Sequence, residues 1–136
     1  MGHEPVIVLD THVLVWWVSG SGRLSVRAKR AIDHGLRRSP AIISTISVLE
    51  IATAVRRGRL ELNLPLDQWF TDLRALPELQ FQPVSAEIAA LAGSFDEATP
   101  GDPADHIIMA TALILRAKLV TADERLHESP IVMTVW

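Results

Sequence analysis

The stretch Pro5–His12 limits what this chain can fold into more than any other part of the sequence. Its residues 6–9 are Val, Ile, Val and Leu, an unbroken apolar run that stops at the carboxylate of Asp10. Such runs are typical of strands buried on both faces in the middle of a parallel sheet. Ligands bind at the carboxyl ends of these strands, and an unpaired buried carboxylate is costly. Asp10 is therefore a candidate site residue, unless it only caps a helix that starts near Val13.

The composition bounds the class of protein. The 136 residues are enough for one compact domain. Apolar residues make up 49% of the chain, but no run approaches the roughly 18 residues of a membrane span. The chain begins without a charged leader and apolar core, and it contains no cysteine, which excludes disulfides and thiolate metal sites. We therefore expect a soluble, cytoplasmic protein that makes no use of a membrane.

The two signs of charge are unevenly placed, although the formal net charge is only −3. Residues 1–60 hold nine Lys or Arg against four Asp or Glu, whereas residues 61–136 hold four against twelve. Arg side chains can hold phosphates that carboxylates alone would repel. The asymmetry favours an enzyme that acts on a polyanion, although solvated helix faces would account for most of these charges.

Apolar runs alternate with helical patterns along the rest of the chain. The patterns predict strands at 40–44, 79–84, 118–123 and 131–136, and helices at 11–18, 25–38, 48–57, 67–76, 86–95 and from 103 onward. Alternation with short links is typical of a parallel sheet flanked by helices. We predict an α/β fold, a three-layer α/β/α sandwich with a central, mostly parallel sheet.

Two adjacent tryptophans, Trp16 and Trp17, lie on the first expected helix. Neighbouring residues on a helix point about 100° apart, so both cannot face the same core. We expect at least one of them to be exposed and available to a partner protein. A wide buried helix face is the alternative.

Four more acids lie where a shared sheet edge would bring them near the first carboxylate. Glu50 ends a Ser47–Glu50 capping box in the first turn of its helix, and capping alone would explain it. Asp102 has the form of an N-cap followed by proline at the first helical position, and Asp105 falls at the third. Asp123 ends another apolar strand, as in the first motif.

All five acids lie at one edge of the sheet under this topology. Like charges a few ångströms apart repel unless a cation lies between them. Oxygen ligands, in a chain without Cys or paired His, suit Mg²⁺ or Mn²⁺. The sequence thus predicts a metal site whose ligands are drawn from Asp10, Glu50, Asp102, Asp105 and Asp123. Arg57, on the polar side of the helix that carries Glu50, is a candidate supporting residue.

Four motifs resemble those of PIN-domain ribonucleases, most closely the toxin subunits of VapBC toxin-antitoxin pairs. The motifs are Val8–His12, Ser47–Ile51, Asp102–Ala112 and Leu119–Asp123. They occur in the right order, and the resemblance covers essentially the whole chain, which implies a single PIN-like domain over residues 1–136. By this resemblance the metal-binding, catalytic acids are Asp10, Glu50, Asp105 and Asp123, with Thr11, Asp102 and Thr121 nearby in the site.

The sequence departs from this pattern at two positions. Members of the subgroup often carry His before the Gly-Asp-Pro and Arg after the second Asp, where this chain has Pro100 and His106. No substrate role is carried over to those two positions, and the acids are not affected.

The resemblance implies metal-assisted hydrolysis of RNA phosphodiester bonds, with Mg²⁺ or Mn²⁺ as the cofactor and a 5′-phosphate on the product. It also implies a cognate antitoxin protein and a homodimer. Single-stranded or looped RNA is the expected substrate, because exposed bases are what a shallow cleft can reach.

Four alternatives differ in what the motifs would do. A stand-alone PIN-type RNA-processing nuclease would carry the same acids, and a non-catalytic α/β binding module would share the fold. An aspartyl-phosphate phosphatase would need a second Asp two residues after the first, where this chain has His12. A response-regulator-like switch would need paired acids near the first strand and a lysine after a later one, and the sequence has neither.

Overall fold

The structure, a computed structural model, describes residues 6–136. Five strands form one sheet in the order β3-β2-β1-β4-β5, and every neighbouring pair is parallel. The strands are β1 (Ile7–Leu9), β2 (Ala41–Ser44), β3 (Leu79–Gln82), β4 (Lys118–Val120) and β5 (Thr134–Val135). Each strand lies within one of the segments predicted as strands. Pro5, which begins the first of these stretches, falls outside the described residues.

Seven helices flank this sheet in the part of the chain that the structure describes. They are α1 (Thr11–Ser19), α2 (Val26–Leu36), α3 (Ile46–Arg56), α4 (Leu66–Arg74), α5 (Ala86–Gly93), α6 (Pro103–Leu115) and α7 (Glu124–Glu128). Within residues 6–136, none of them has the length and apolar character that crossing a membrane requires.

The central strand β1 contributes to two cores, because successive side chains of a strand point to opposite faces. Ile7 and Leu9 pack on the side that α1, α2, α3 and α4 cover. Val8 packs on the other side, against α6 and α7. The α5 helix packs against α6 through Ile88 and Ala92. Each fully buried aliphatic side chain stabilises the fold by about 1.5–3 kcal/mol. The predicted three-layer α/β/α sandwich is confirmed.

The predicted capping box at the start of α3 is wrong. The helix begins at Ile46, its N-cap Thr45 makes no side-chain cap bond, and Ser47 is buried inside the first turn. The backbone N–H of Ile46 is instead satisfied by the Ser44 hydroxyl at 3.2 Å. Glu50 therefore lies two residues further into the helix than predicted, so capping does not explain it.

The prediction that Asp123 ends a strand also needs correction. β4 ends at Val120, and Asp123 is the N-cap of α7, a short helix that the pattern did not predict. The Thr121 hydroxyl accepts a hydrogen bond from the Asp123 backbone N–H at 3.1 Å. This bond turns the chain out of the sheet and into α7 while leaving the carboxylate at the same edge.

Candidate active site

One cleft at the carboxyl edge of the sheet brings the five predicted acids together. Its volume is about 520 Å³. Asp10 follows β1 directly, Glu50 comes from α3, and the other three come from the starts of α6 and α7. The acids that line the cleft are Asp10, Glu50, Asp102, Asp105 and Asp123. Residues from across the whole sequence therefore meet at one point because the parallel strands all end on the same side.

Asp10 is the most deeply placed of these acids, with 8% of its surface exposed. It is the N-cap of α1, and its Oδ1 accepts from the Thr11 backbone N–H at 2.8 Å. Its Oδ2 accepts from the Thr121 hydroxyl at 2.6 Å. Each carboxylate oxygen thus has a donor, which offsets the cost of burying the charge. Capping and a role in the site are compatible, because each oxygen retains a second lone pair.

Glu50 is held by a relay of hydroxyl groups. The Thr11 hydroxyl donates to Glu50 Oε1 at 2.6 Å, and the Ser47 and Thr11 hydroxyls lie 2.8 Å apart. Since a carboxylate only accepts, Thr11 gives its single proton to Glu50, and Ser47 must donate to Thr11. Burial raises the pKa of Glu50, and the neighbouring charges of Asp10 and Asp102 raise it further, against the lowering effect of the Thr11 bond.

Asp102 and Asp105 form a reciprocal capping box at the start of α6. Asp102 Oδ1 accepts from the Asp105 N–H at 2.8 Å, and Asp105 Oδ2 accepts from the Asp102 N–H at 3.0 Å. The predicted N-cap, with proline at the first helical position, is confirmed. Burial raises the pKa of Asp105 to about 6, with further contributions from the charges of Asp102, Asp10 and Glu50.

Asp123 is the acid that makes two side-chain hydrogen bonds to a cation. Arg125 contacts both of its carboxylate oxygens, through Nε at 3.1 Å and Nη2 at 2.8 Å. Hydrogen bonding to Arg125 lowers the pKa of Asp123. The same guanidinium lies 3.8 Å from Asp105 Oδ2. Arg125 was not among the predicted site residues, although its position two residues after the last acid was a signal available in the sequence.

His127 is a second residue that the sequence did not reveal, and it supports the loop between β4 and α7. Its Nε2 lies 2.6 Å from the Thr121 carbonyl oxygen, and its Nδ1 lies 2.6 Å from the Thr134 hydroxyl. A carbonyl only accepts, so Nε2 carries the proton. The Thr121 hydroxyl in turn contacts Asp10 and the backbone of Asp123. One histidine therefore fixes a loop that positions two of the five acids.

Arg57 lies outside the acid cleft. It lines an adjoining cleft of about 770 Å³, whose other lining side chains are largely apolar. Trp16 lines both clefts and contacts the rings of His12 and Trp136, with centroids 5.9 and 5.8 Å away. Trp17 is half-buried against the core. Neither tryptophan is exposed, because both are half-buried, so the expectation of an exposed tryptophan is wrong. Trp16 reaches the surface only as part of the walls of the two clefts.

The donor chemistry of the acid cleft fits a hard divalent cation, because all five acids offer carboxylate oxygens. The mutual charge effects on Glu50 and Asp105 indicate that these groups repel one another, and a cation between them would relieve this repulsion. Within residues 6–136, however, no three His, Asp or Glu side chains are arranged to hold an ion as they stand. Asp123 is engaged by Arg125 and Asp105 by the Asp102 backbone, so these two side chains would have to rotate before they could hold an ion.

Comparisons with known proteins agree with this geometry. The PIN domain family model matches residues 7–131. Ribonuclease VapC22 of Mycobacterium tuberculosis is 35% identical over 132 residues, which are 96% of this chain and 98% of that protein. Similar folds occur in solved structures, among them the following two. VapBC2 from Rickettsia felis bound to a promoter DNA fragment has a TM-score of 0.69 at 15% identity, covering 95% of this chain and 96% of that one. A toxin-antitoxin complex from Klebsiella pneumoniae has a TM-score of 0.65 at 22% identity, covering 94% and 96%.

Proposed function

The chain belongs to the PIN-domain family, and from that premise we propose that it is a metal-dependent endoribonuclease that serves as the toxin of a toxin-antitoxin pair. One observation carries the proposal most directly: five carboxylates from distant parts of the sequence line one cleft at the carboxyl edge of the sheet. The similarity to a ribonuclease over nearly the whole chain supports RNA as the substrate.

Each acid has its own part in the proposed reaction. Asp10, Glu50 and Asp105 would be the principal metal ligands, and Asp123 would join them only if it parted from Arg125. A Mg²⁺ or Mn²⁺ held there would lower the pKa of its water and would offset negative charge on the phosphate. Asp102 holds the start of α6 in place through the capping box.

Two threonines and two arginines contribute to the site in different ways. Thr11 and Thr121 keep the carboxylates of Glu50 and Asp10 oriented toward the cleft through bonds of 2.6 Å. Arg23 and Arg125 line the same cleft, where their guanidinium groups can pair with phosphate oxygens that the acids repel.

An antitoxin is the protein partner that we propose. The adjoining cleft is lined by Val15, Trp16 and Leu49 among other apolar residues, and Leu49 is 60% exposed. A cleft lined mainly by apolar side chains is typical of a binding site. Because Trp16 and Glu50 line both clefts, a segment that fills the apolar cleft would also reach the acids.

We further propose a homodimer, for which light scattering at micromolar concentration should give twice the 15.0 kDa chain mass.

A cleavage assay on a pool of cellular RNA tests the proposed activity. Wild type should cut RNA in Mg²⁺, and both chelator and Asp10→Asn should lower the rate by orders of magnitude, because the metal supplies the nucleophile and the charge stabilisation. Cleavage that survives both changes would overturn the metal mechanism. Divalent-ion binding without any cleavage would favour the non-catalytic binding module instead.

A further inference from the structure

A second cavity, of about 670 Å³, lies toward the opposite edge of the sheet from the acids. It is bounded by Ile7 and Lys118, which are the first residues of β1 and β4. Since the strands are parallel, these positions mark their amino ends, whereas the acids follow the carboxyl ends. The cavity is therefore separate from the candidate active site. Its basic lining residues are Arg27, Arg30, His34, Arg38 and Lys118, and no Asp or Glu of the described chain lines it.

One face of α2 supplies most of this positive charge. Arg27, Arg30 and His34 are spaced by three and four residues, so they project from one side of the helix, and all three are exposed. Within residues 6–136, no ion pair with a carboxylate occupies Arg27, Arg30 or Lys118. His34 and Arg38 already have interaction partners, so we base the inference on the other cations.

The segment that leads into α2 reaches the acid cleft, whereas the helix itself lines the cavity. Arg23, two residues before the N-cap Ser25, lines the acid cleft. Arg27 and Arg30 follow four and seven residues later and line the cavity. An 11-residue helix is about 16 Å long. A line of cations therefore extends from the candidate active site along α2 to the far edge of the sheet.

We propose that Arg23, Arg27, Arg30 and Lys118, which we call the α2 cationic track, bind the sugar-phosphate backbone of RNA that extends out of the acid cleft. This inference rests on the proposed function. The acids that would hold the metal repel the remaining phosphates of an RNA chain, so cations must supply the affinity for those phosphates. Guanidinium groups bind phosphate through two parallel hydrogen bonds, and such contacts do not depend on base sequence.

A salt titration of RNA binding tests the track. The full chain is mixed with a labelled single-stranded RNA oligonucleotide in chelator, so that binding is measured without cleavage. Each phosphate contact on a single strand contributes about 0.7 to the slope of log affinity against log salt, so Arg27→Gln/Arg30→Gln should lower the slope by about 1.4. Lys29→Gln/Arg74→Gln removes the same charge from exposed positions that line none of these cavities, and it should leave the slope close to the wild-type value.

Denaturant midpoints, RNA affinities with their salt slopes, and RNA cleavage in Mg²⁺ are measured on the same proteins. Equal denaturant midpoints for the two double variants establish that folding is not the cause of any difference. Equal affinities and equal slopes for the two double variants would overturn the track, even if wild type cuts RNA in Mg²⁺. If wild type cuts no RNA, the proposed function fails, whatever the binding data show.

Discussion

At the scale of single residues, two threonine hydroxyls decide where the buried carboxylates point. Thr11 follows Asp10 directly in the sequence, and the motif resemblance placed it in the site. The bond from Thr121 to Asp10 joins residues 111 positions apart, and it depends on β1 and β4 being neighbours. The residue types near the site could therefore be predicted from the sequence. Which hydroxyl donates to which carboxylate could not, because these pairings depend on the order of the strands.

Asp105 gives the metal-free protein a distinct pH dependence. Its pKa is raised from 3.8 to about 6, first by burial and then by nearby carboxylates. The folded state therefore holds this proton more tightly than the unfolded chain. The stability that the proton contributes is fully present below about pH 4 and is lost as the pH rises through about 6. Wild type should thus lose unfolding free energy relative to Asp105→Asn between about pH 4 and about pH 7.

Urea midpoints without metal, measured across that pH range, check this expectation. Asp33→Asn is the matched control, because it removes an exposed carboxylate on α2 and should leave the wild-type profile unchanged. Parallel profiles for wild type and Asp105→Asn would show that Asp105 titrates alike in the folded and unfolded states.

Gly101 is required by the close approach of Asp105. Its φ is +103°, and an added Cβ would lie 2.8 Å from Asp105 Cβ and 3.0 Å from Oδ2. Gly101→Ala should cost about 1–3 kcal/mol through backbone strain, with further cost from this contact. It should also weaken metal binding, because Asp105 must move.

Gly58→Ala is the control for backbone strain alone. Gly58 also has a positive φ, +71°, but no atom lies within 4 Å of its added Cβ. Denaturant midpoints and Mn²⁺ affinity measured on both variants should show Gly101→Ala to be worse in each respect. Equal losses for the two variants would mean that the contact with Asp105 has no effect.

At the scale of elements, strands and most helices followed from apolar periodicity, whereas their ends depended on individual hydrogen bonds. The N-cap Asp102 was predicted from residue type and is confirmed. The start of α3 was predicted wrongly, because the Ser47 hydroxyl bonds to the Thr11 hydroxyl instead of capping its own helix. α7 was missed for a similar reason, since five residues are too few to show a helical period.

The loop that precedes α7 gives a prediction about His127. His127→Ala removes the donor to the Thr121 carbonyl and should weaken Mn²⁺ binding about 10–100-fold, the usual cost of losing an outer hydrogen bond at a metal site. His127→Gln can still donate to that carbonyl and should restore part of the affinity. Thr134→Val removes only the bond to Nδ1 and should have a smaller effect.

Calorimetric titration with Mn²⁺ measures these affinities, and unfolding midpoints establish that each variant is folded. A purely structural role for His127 would lower the midpoint of His127→Ala while leaving its metal affinity at the wild-type value. That result would rule out a positioning role.

At the scale of the whole molecule, the parallel sheet separates two kinds of charge. The carboxylates gather at the carboxyl ends of the strands, and cations extend along α2 toward the amino ends. The sequence showed the asymmetry of charge and the strands that end near acids. It did not show that Arg23 would line the acid cleft while α2 lines the cavity toward the other edge, because that depends on how α2 packs against the sheet.

The unfolding free energy as a function of Mg²⁺ concentration tests the central claim, that these acids form one metal site, most directly. Binding to the folded state alone should stabilise wild type by about 2.7 kcal/mol at about 100 times the dissociation constant. Asp10→Asn should gain much less, because the most buried carboxylate of the site has lost its charge. A wild-type midpoint that does not change up to millimolar Mg²⁺, or an equal gain in Asp10→Asn, would contradict a shared metal site at the carboxyl edge of the sheet.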